Sequence, residues 1–574
     1  MPWANEDVAA RLAEIAALLE LQGADRFRVR AYERAAALIA AAPVDLAELS
    51  DEEVAKLSGI GSAISSKIAE YRQTGVIAKL EELRADVPAG MTELVRVPGL
   101  GPKTARILCV DQGIDSVEAL QRALEDGRLE GVKGVGAKTL ERLRESLERM
   151  GAKDSDRRPV AAVLGMAQEL RRRLLARDDV GDAEIAGSLR RMRETVGDLD
   201  ILVSSAEPSA VMQAFRDDSL VAKVLAAGES KTSVLTVRGV QADLRVVDPD
   251  SWGAALIYFT GSKAHNVRLR ERALRRGLTL NEYGLFDRET EERRAGRTEE
   301  EVYAALGLPW IPPTMREDAG EIAAGEDGTL PTVVTVEDLR GDLHGHSDWS
   351  GDGKASLEAM VLAAADRGWA YWAVTDHAEN LSMNGLSRER MLERRRAIAD
   401  LQERCEIRIL DGAELNIGLN GELDYDAEFL LGFDFCVASI HSHMDRGAAE
   451  QTKRLVAAMH HPAVNVIGHP TGRRIGRRPP YDIDLEEVLG AAAETGTALE
   501  VNASPQRLDL SGEMVRRAVE GGVTLAISTD AHSIGDLDSM RFGVATAQRG
   551  WAAPEQILNC RPLDGLLEFV AAKR

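Results

Sequence analysis

The 574-residue chain predicts a multidomain α/β protein, with a helical N-terminal region, a mixed α/β middle and a C-terminal parallel βα barrel. Three observations carry this. A Gly-apolar-Gly turn recurs three times in the first quarter. An Asp-x-Asp pair, Asp198 and Asp200, sits inside an apolar run. Nine of the ten histidines lie after residue 340, most of them where an apolar run ends.

Composition sets the bounds. The chain is 44% hydrophobic and 29% charged, an ordinary globular balance. No apolar stretch approaches the ~18 residues a membrane span needs, and Met1-Pro2-Trp3 opens no basic signal region. Cys109, Cys405, Cys436 and Cys560 show no paired spacing. They fit a reducing cytoplasm and argue against a thiolate zinc site. The net charge of −23 disfavours nucleic acid if taken alone. Bulk charge is weak evidence, because binding depends on where cations cluster.

Residues 6–41 carry helical periodicity through Val8, Leu12, Ile15, Leu18 and Leu19. The repeated turns follow: Gly59-Ile60-Gly61, Gly99-Leu100-Gly101 with Lys103, and Gly134-Val135-Gly136 with Lys138. Such a turn before a helix bares backbone amides at a helix N-terminus, a seat for a DNA phosphate. A plain helical-hairpin turn is the bland reading of one copy. Three copies favour sequence-independent binding of a nucleic-acid backbone, and they resemble helix-hairpin-helix motifs.

Residues 151–159 read as a hinge, and α/β patterning follows to about 248. Within it, Asp198 and Asp200 stand two apart in a strand and share a face. Asp243 lies in a second strand-like run. Three convergent carboxylates without His or Cys suit Mg²⁺ or Mn²⁺. Two solvent-facing aspartates on an edge strand are the alternative for the pair alone. A second α/β segment runs to Pro312-Pro313, and residues 314–336, acidic with little periodicity, read as a linker.

From about 337, seven apolar runs end near 343, 375, 413, 440, 468, 501 and 528, separated by helical stretches such as 357–367 and 388–402. Repeated βα units imply a parallel sheet, and polar residues at every strand end are what a barrel's C-terminal face displays. Those ends supply His344, His346, Asp352, His377, Glu414, His441, His469, Asp530 and His532. As a set they read as ligands of up to three ions. His443 falls outside this set. His460 and His461 read as helix-end residues, and His265 as a residue near DNA. Asp376 reads as a partner orienting His377, and Arg473, Arg474, Arg477 and Arg478 as either a phosphate clamp or a solvated loop.

Specific segments tie these together. Gly187-Ser188 through Asp200 resembles the nucleotidyltransferase signature of the family X DNA polymerases (polymerase-beta-like). Tyr258-Phe259-Thr260-Gly261-Ser262 and Asn281-Glu282-Tyr283 match further segments of that family. The order of residues from His344 to His532 resembles the PHP (polymerase and histidinol phosphatase) domain of its bacterial members. The resemblance implies a helix-hairpin-helix 8-kDa-like domain at 1–86, fingers with two more such motifs at 87–157, and a nucleotidyltransferase palm at 158–248. It further implies a thumb at 249–313, the linker at 314–336, and a PHP domain, a distorted (β/α)7 barrel, at 337–574.

By the same resemblance, Asp198, Asp200 and Asp243 bind two Mg²⁺ or Mn²⁺ ions, with Asp243 as base towards the primer 3′-OH. Gly187, Ser188, Arg191 and Gly197 hold a deoxynucleoside triphosphate. Tyr258, Phe259 and Gly261 pack on its sugar, Asn266 and Arg270 meet the base or template, and Arg245 sits beside Asp243. His344, His346, Glu414 and Asp530 hold one Zn²⁺ or Mn²⁺. Glu414 bridges to a second with His441 and His469, and Asp352, His377 and His532 hold a third. Lys67 stands where the family has a Schiff-base lysine, and Tyr32 also matches. Ala63 replaces a further lysine there, which leaves a phosphate-contacting or solvated Lys67 as the other reading.

The implied protein is a cytoplasmic, monomeric polymerase acting on gapped or nicked DNA. It fills short gaps in base-excision repair or end joining, with a 3′–5′ exonuclease and abasic-site incision in the PHP domain. Two rivals stand beside it. In one, the PHP domain is a phosphoesterase for other substrates or a structural metal module. In the other, the chain is a non-catalytic scaffold at DNA ends.

Overall fold

A computed structural model describes residues 157–228, 231–381 and 384–574, with helical segments and scattered positions of residues 1–156. The chain forms two compact units, Met1–Asp156 and Arg157–Arg574.

In the first unit the described helices include Arg26–Ala40, Ser62–Thr74, Ala78–Asp86 and Val117–Glu125. Leu12, Ile15, Tyr32, Ile68, Leu83, Leu120 and Leu143 share one core, so the periodic apolar positions face inward as a helical stripe requires. Ser116 caps the last of these helices by accepting from Ala119 N at 3.1 Å. Gly61 opens the Ser62–Thr74 helix, its carbonyl accepting from Ile64 and Ser65. Gly136 does the same for Leu140. Gly59, Gly99, Gly101, Lys103, Gly134 and Lys138 lie outside the described residues.

The second unit begins with a five-stranded sheet. Its strands are β1 (Asp182–Ile185), β2 (Leu199–Ser204), β3 (Val221–Ala227), β4 (Lys231–Thr236) and β5 (Gln241–Val247), in the order β1-β2-β5-β4-β3. Only the β2–β5 pair is parallel. The helix Val160–Leu175 packs Val163, Leu170 and Leu174 into the core of this sheet. Helices Trp252–Thr260 and Lys263–Arg275 follow. A small antiparallel sheet comes next, β6 (Leu278–Asn281), β7 (Gly284–Asp287) and β8 (Arg293–Ala295).

The last part is a barrel of seven parallel strands in sequence order. They are β9 (Gly341–Gly345), β10 (Tyr371–Val374), β11 (Arg408–Asn416), β12 (Phe435–Ser439), β13 (Val466–Ile467), β14 (Ala498–Asn502) and β15 (Leu525–Ser528). Each strand gives at least one residue to a common apolar cluster, among them Leu343, Tyr371, Leu410, Phe435, Val466, Ala498 and Ala526. Such a cluster packs a small barrel solid, so chemistry is confined to the strand ends. The circle joins where Gly345 bridges Ala531, with Asp530 N donating to His344 O at 2.9 Å. The βα crossovers supply the outer helices, among them Leu357–Asp366 and Arg388–Gln402.

Residues 314–336, expected to be a linker, are folded. Arg316 and Glu321 are fully buried, and a short helix spans Glu321–Glu326. Val334 N donates to Ala552 O, and Thr314 Oγ1 to Gln548 Oε1. The acidic composition misled because Glu321 is held by the buried His265 ring rather than by water. No described helix is long and apolar enough to cross a membrane.

Candidate metal centres

The parallel register of β2 and β5 sets Asp200 opposite Asp243. Asp198 precedes β2, and oxygens of all three lie within 4.8 Å of one another. Burial raises the Asp200 carboxyl to about 6, with Asp198 and Asp243 pushing the same way. Three repelling carboxylates fit a hard divalent cation, which relieves that repulsion. Burial would also raise Asp243, but Lys231, Ser233 and Gln241 hold it below the usual carboxylate range. The Lys231 ammonium pairs directly with Asp243. Sequence reasoning missed Lys231, because nothing in one strand announces its neighbour in the next.

Gly187 opens a short helix (Gly187–Arg190) at φ +62°. Ser188 follows in the same turn, and Gly197 comes just before Asp198. Arg191 is held by its own chain. Its Nε donates to Glu317 at 2.9 Å and its NH1 to the Thr260 carbonyl. Tyr258 and Phe259 end the Trp252–Thr260 helix, and Gly261 caps it at φ +69°. Arg245, two residues beyond Asp243 on the same face of β5, stacks its guanidinium 4.5 Å from the Phe259 ring. Asn266 donates to the Tyr258 carbonyl at 2.7 Å, and Arg270 to the Asn266 carbonyl at 3.3 Å. Tyr258, Asn266, Arg270 and Asn281 line one small recess.

His265, expected near DNA, is not presented at the surface. It is buried, with Nδ1 2.6 Å from Glu321 and Nε2 2.8 Å from the Tyr303 hydroxyl. The helix Lys263–Arg275 turns it inward, while Asn266 is half-buried against Tyr258.

At the C-terminal ends of the barrel strands, Glu414 is the hub. Its Oε1 lies 3.0 Å from His469 and 3.1 Å from His441. Its Oε2 lies 2.8 Å from His377 and 3.5 Å from His344. His346 stands 3.3 Å from Asp530. Asp352 sits between His377, at 3.2 Å, and His532, at 3.4 Å. Burial would raise Glu414, but His441, His344 and His377 hold it well below the carboxylate range. Burial with His532 and His377 nearby lowers His346 to about 3, and burial with Arg507 nearby lowers His469 to about 4. His344 Nε2, His346 Nε2, Asp352 Oδ1 and Glu414 Oε2 are buried without a hydrogen-bond partner. Orphaned imidazole and carboxylate atoms aimed at one another are a donor set that fits metal ions.

Three triads converge tightly: His344/His346/Asp530, His377/Glu414/His441 and His346/His377/His532. The geometry thus brings all nine expected residues together. It also makes His377 common to two groups, since its ring lies between Glu414 and Asp352. Around them stand groups that sequence reasoning missed. Glu500 accepts from His344 Nδ1 at 2.7 Å, Asn416 Oδ1 faces His441 Nδ1 at 2.8 Å, and Arg507 lies 3.4 Å from Asp530. Such partners fix the ring orientation of a ligand.

Asp376 does not orient His377. Its carboxylate accepts from Ser347 N, Ser347 Oγ, Ser350 Oγ and the buried Arg394. His443 is exposed at φ +55°. His460 caps the helix Ala448–Met459, and His461 Nδ1 accepts from Ala463 N. Arg473 pairs with Glu194 at 2.7 Å. In the first unit, Lys67 Nζ donates to the Ala63 carbonyl at 3.2 Å and Tyr32 is buried.

A three-carboxylate sheet followed by a thumb-like sheet, joined to a histidine-rich seven-stranded barrel, defines a nucleotidyltransferase fused to a metal-dependent phosphoesterase. Family models match accordingly: a helix-hairpin-helix domain over 3–77, a SAM-like helix-hairpin-helix tandem over 91–149, the DNA polymerase beta thumb over 255–317 and the PHP domain over 342–504. The chain is 38% identical over 570 residues to the DNA polymerase/3′-5′ exonuclease PolX of Bacillus subtilis (strain 168), covering 99% of both. It belongs to the bacterial family X DNA polymerases with a C-terminal PHP domain. Its barrel half is also similar to a probable phosphatase of Syntrophotalea carbinolica, 31% identical over 40% of this chain and 95% of that protein. Another, from Caldicellulosiruptor bescii, is 28% identical over 40% of this chain and 95% of its own length.

Proposed function

We propose that this polymerase fills short gaps in damaged DNA and that its PHP half trims 3′ ends, with base-excision repair as the main pathway and end joining as a second. The observation that carries the reading is the Asp200–Asp243 register with Asp198 beside it, in a chain that also holds the Glu414-centred cluster.

Asp198, Asp200 and Asp243 would hold two Mg²⁺ or Mn²⁺ ions, which supply charge neutralisation for an in-line phosphoryl transfer. Asp243 accepts the proton of the primer 3′-OH. Gly187, Ser188 and Gly197 offer amides and a hydroxyl to the incoming deoxynucleoside triphosphate. Arg191 joins them only by leaving Glu317. Tyr258, Phe259 and Gly261 pack on the sugar, and Asn266 and Arg270 face the base or template. In the first unit the hairpin turns grip the DNA backbone, and Lys67 is the candidate for attack on an abasic aldehyde.

In the PHP half, His344, His346, Glu414 and Asp530 would hold one Zn²⁺ or Mn²⁺. Glu414, His441 and His469 would hold a second, and Asp352, His377 and His532 a third. Together the ions supply Lewis acidity for phosphodiester hydrolysis. We further propose abasic-site incision there, and a cytoplasmic, monomeric enzyme.

The test separates the two centres. Asp198→Ala/Asp200→Ala abolishes gap filling with Mg²⁺ or Mn²⁺ and spares 3′ trimming, whereas His344→Ala/His441→Ala does the reverse. Equal nucleotide addition by wild type and Asp198→Ala/Asp200→Ala sinks the polymerase reading. Trimming that survives His344→Ala/His441→Ala sinks the nuclease reading. The similarity to probable phosphatases favours one rival, a PHP half specific for small phosphate esters. Turnover of such esters without any loss of 3′ nucleotides from DNA would establish it.

A further inference from the structure

The short helix Gly187–Arg190 ends in a turn that the polymerase half does not hold alone. Met192 N donates to the Leu189 carbonyl at 2.9 Å, and Arg193 N to the Ser188 carbonyl at 3.0 Å. This bond pair is a helix stop whose left-handed residue is usually glycine. Here that residue is Met192, at φ +52°, where a β-carbon is disfavoured. Such a stop leaves the last carbonyls, those of Arg191 and Met192, without a partner inside the helix. One guanidinium from the barrel half takes both. Arg549 donates to the Arg191 carbonyl at 2.8 Å and to the Met192 carbonyl as well. It ends the helix Met540–Arg549, and its stem crosses Gly512, where a Cβ would stand 2.9 Å from Arg549 Cγ. Burial pulls the Arg549 pKa down to about 10, and Arg193 nearby acts the same way. A cation is costly to bury, and this one meets two peptide oxygens of a single turn. The barrel half braces the turn at further points. Phe542, from the same helix, and Leu508 sit in the palm core against which Met192 packs, and Arg473 pairs with Glu194.

We propose that Arg549 is a positioning residue of the polymerase centre: from the barrel half it holds the Met192 turn, and through it the Gly187 and Ser188 groups that receive the triphosphate. The inference rests on reading Gly187 and Ser188 as that seat. A left-handed residue other than glycine persists only where its surroundings impose it. Without Arg549 the turn relaxes, and the incoming nucleotide has to reorder it at a cost in affinity. Glycine at position 192 would keep the turn without outside help.

The test uses the full chain and single-nucleotide gap filling at saturating DNA. Arg549→Met raises KM for the deoxynucleoside triphosphate about ten-fold and leaves kcat within about two-fold. Met192→Gly added to Arg549→Met returns KM to the wild-type value, which a general loss of packing at Arg549 would not allow. Gly512→Ala crowds the Arg549 stem and raises KM in the same direction, with the same restoration by Met192→Gly; it stands in for Arg549→Met if that variant does not fold. Thermal melts and 3′ trimming report the fold of each protein. An unchanged KM in folded Arg549→Met overturns the proposal, as does a raised KM that Met192→Gly does not restore or a fall confined to kcat. Ser188→Ala separates the inference from the seat beneath it. A KM that Ser188→Ala leaves unmoved removes the seat reading, and the inference with it. A KM raised by Ser188→Ala and not by Arg549→Met removes the inference alone.

Discussion

Gly187 and Asp200 exclude any side chain between them: a Cβ at Gly187 would stand 2.2 Å from Asp200 Oδ2. The positive φ of Gly187 adds to the constraint, because a β-carbon is disfavoured there. Gly187→Ala must therefore push the central carboxylate off its register with Asp243. Displacements near 1 Å cost about 10²-fold in rate, so gap filling should fall by about that factor. Trimming of 3′ ends by the same protein should hold at the wild-type rate, since the barrel is untouched. Steady-state nucleotide incorporation beside exonuclease progress curves checks both halves.

Glu500 controls His344 from behind. Its Oε1 meets Nδ1 at 2.7 Å while its Oε2 accepts the His469 amide. Glu500→Gln keeps the volume and removes the charge. Loss of such a partner typically costs about 10- to 100-fold in metal affinity. Metal content after dialysis, read by elemental analysis, should fall at the barrel while Asp200-dependent polymerisation persists.

Glu299 ties palm to thumb. It accepts from Arg190 at 2.7 Å and from Arg316 at 2.7 Å, and Trp310 donates to it at 3.0 Å. Burial would raise its carboxyl, yet Arg316 and Arg190 lower it to about 2. A folded-state value below the unfolded one gives stability that is present above about 4.5 and lost as pH falls towards about 2. Glu299→Ala leaves the buried Arg316 and the half-buried Arg190 without this partner and should cost about 3–5 kcal/mol at neutral pH. Denaturant melts at pH 7 and pH 3 should show the mutant deficit shrinking in acid.

Asp376 should prove structural. Its loss strands Arg394, which is fully buried and otherwise held by Asp411 and the Gly412 carbonyl. Asp376→Asn should lower stability by about 3–5 kcal/mol, and the folded fraction should bind metal like wild type. A metal-binding defect at full stability would restore its role as partner of His377.

Legibility differed by the kind of information required. The barrel was readable because polar residues, histidines above all, sit at the breaks of its apolar runs. The helix expected over 388–402 spans Arg388–Gln402. The nine expected residues converge because seven parallel strands in sequence order bring every C-terminal end to one face. Groups outside that rule were not readable. Lys231 meets Asp243 across β4 and β5, and Glu500 supports His344 from β14, 156 residues further along the chain. Arg473 finds Glu194 279 residues away. His265 looked exposed because it precedes Asn266 in a polar helix. Its burial depends on Tyr303 and Glu321, which the chain reaches only later.

The ring closure at Gly345 and Ala531 sets an order of maturation. His344 and His346 leave the ribosome almost two hundred residues ahead of Asp530 and His532, and domains fold from the N-terminus as they emerge. The three palm aspartates are complete by residue 243, and the cluster is complete only when the last strand arrives. A chain interrupted before β15 would lack both the finished cluster and Phe542, which packs into the core beneath the three aspartates, so neither centre is finished before the ring closes.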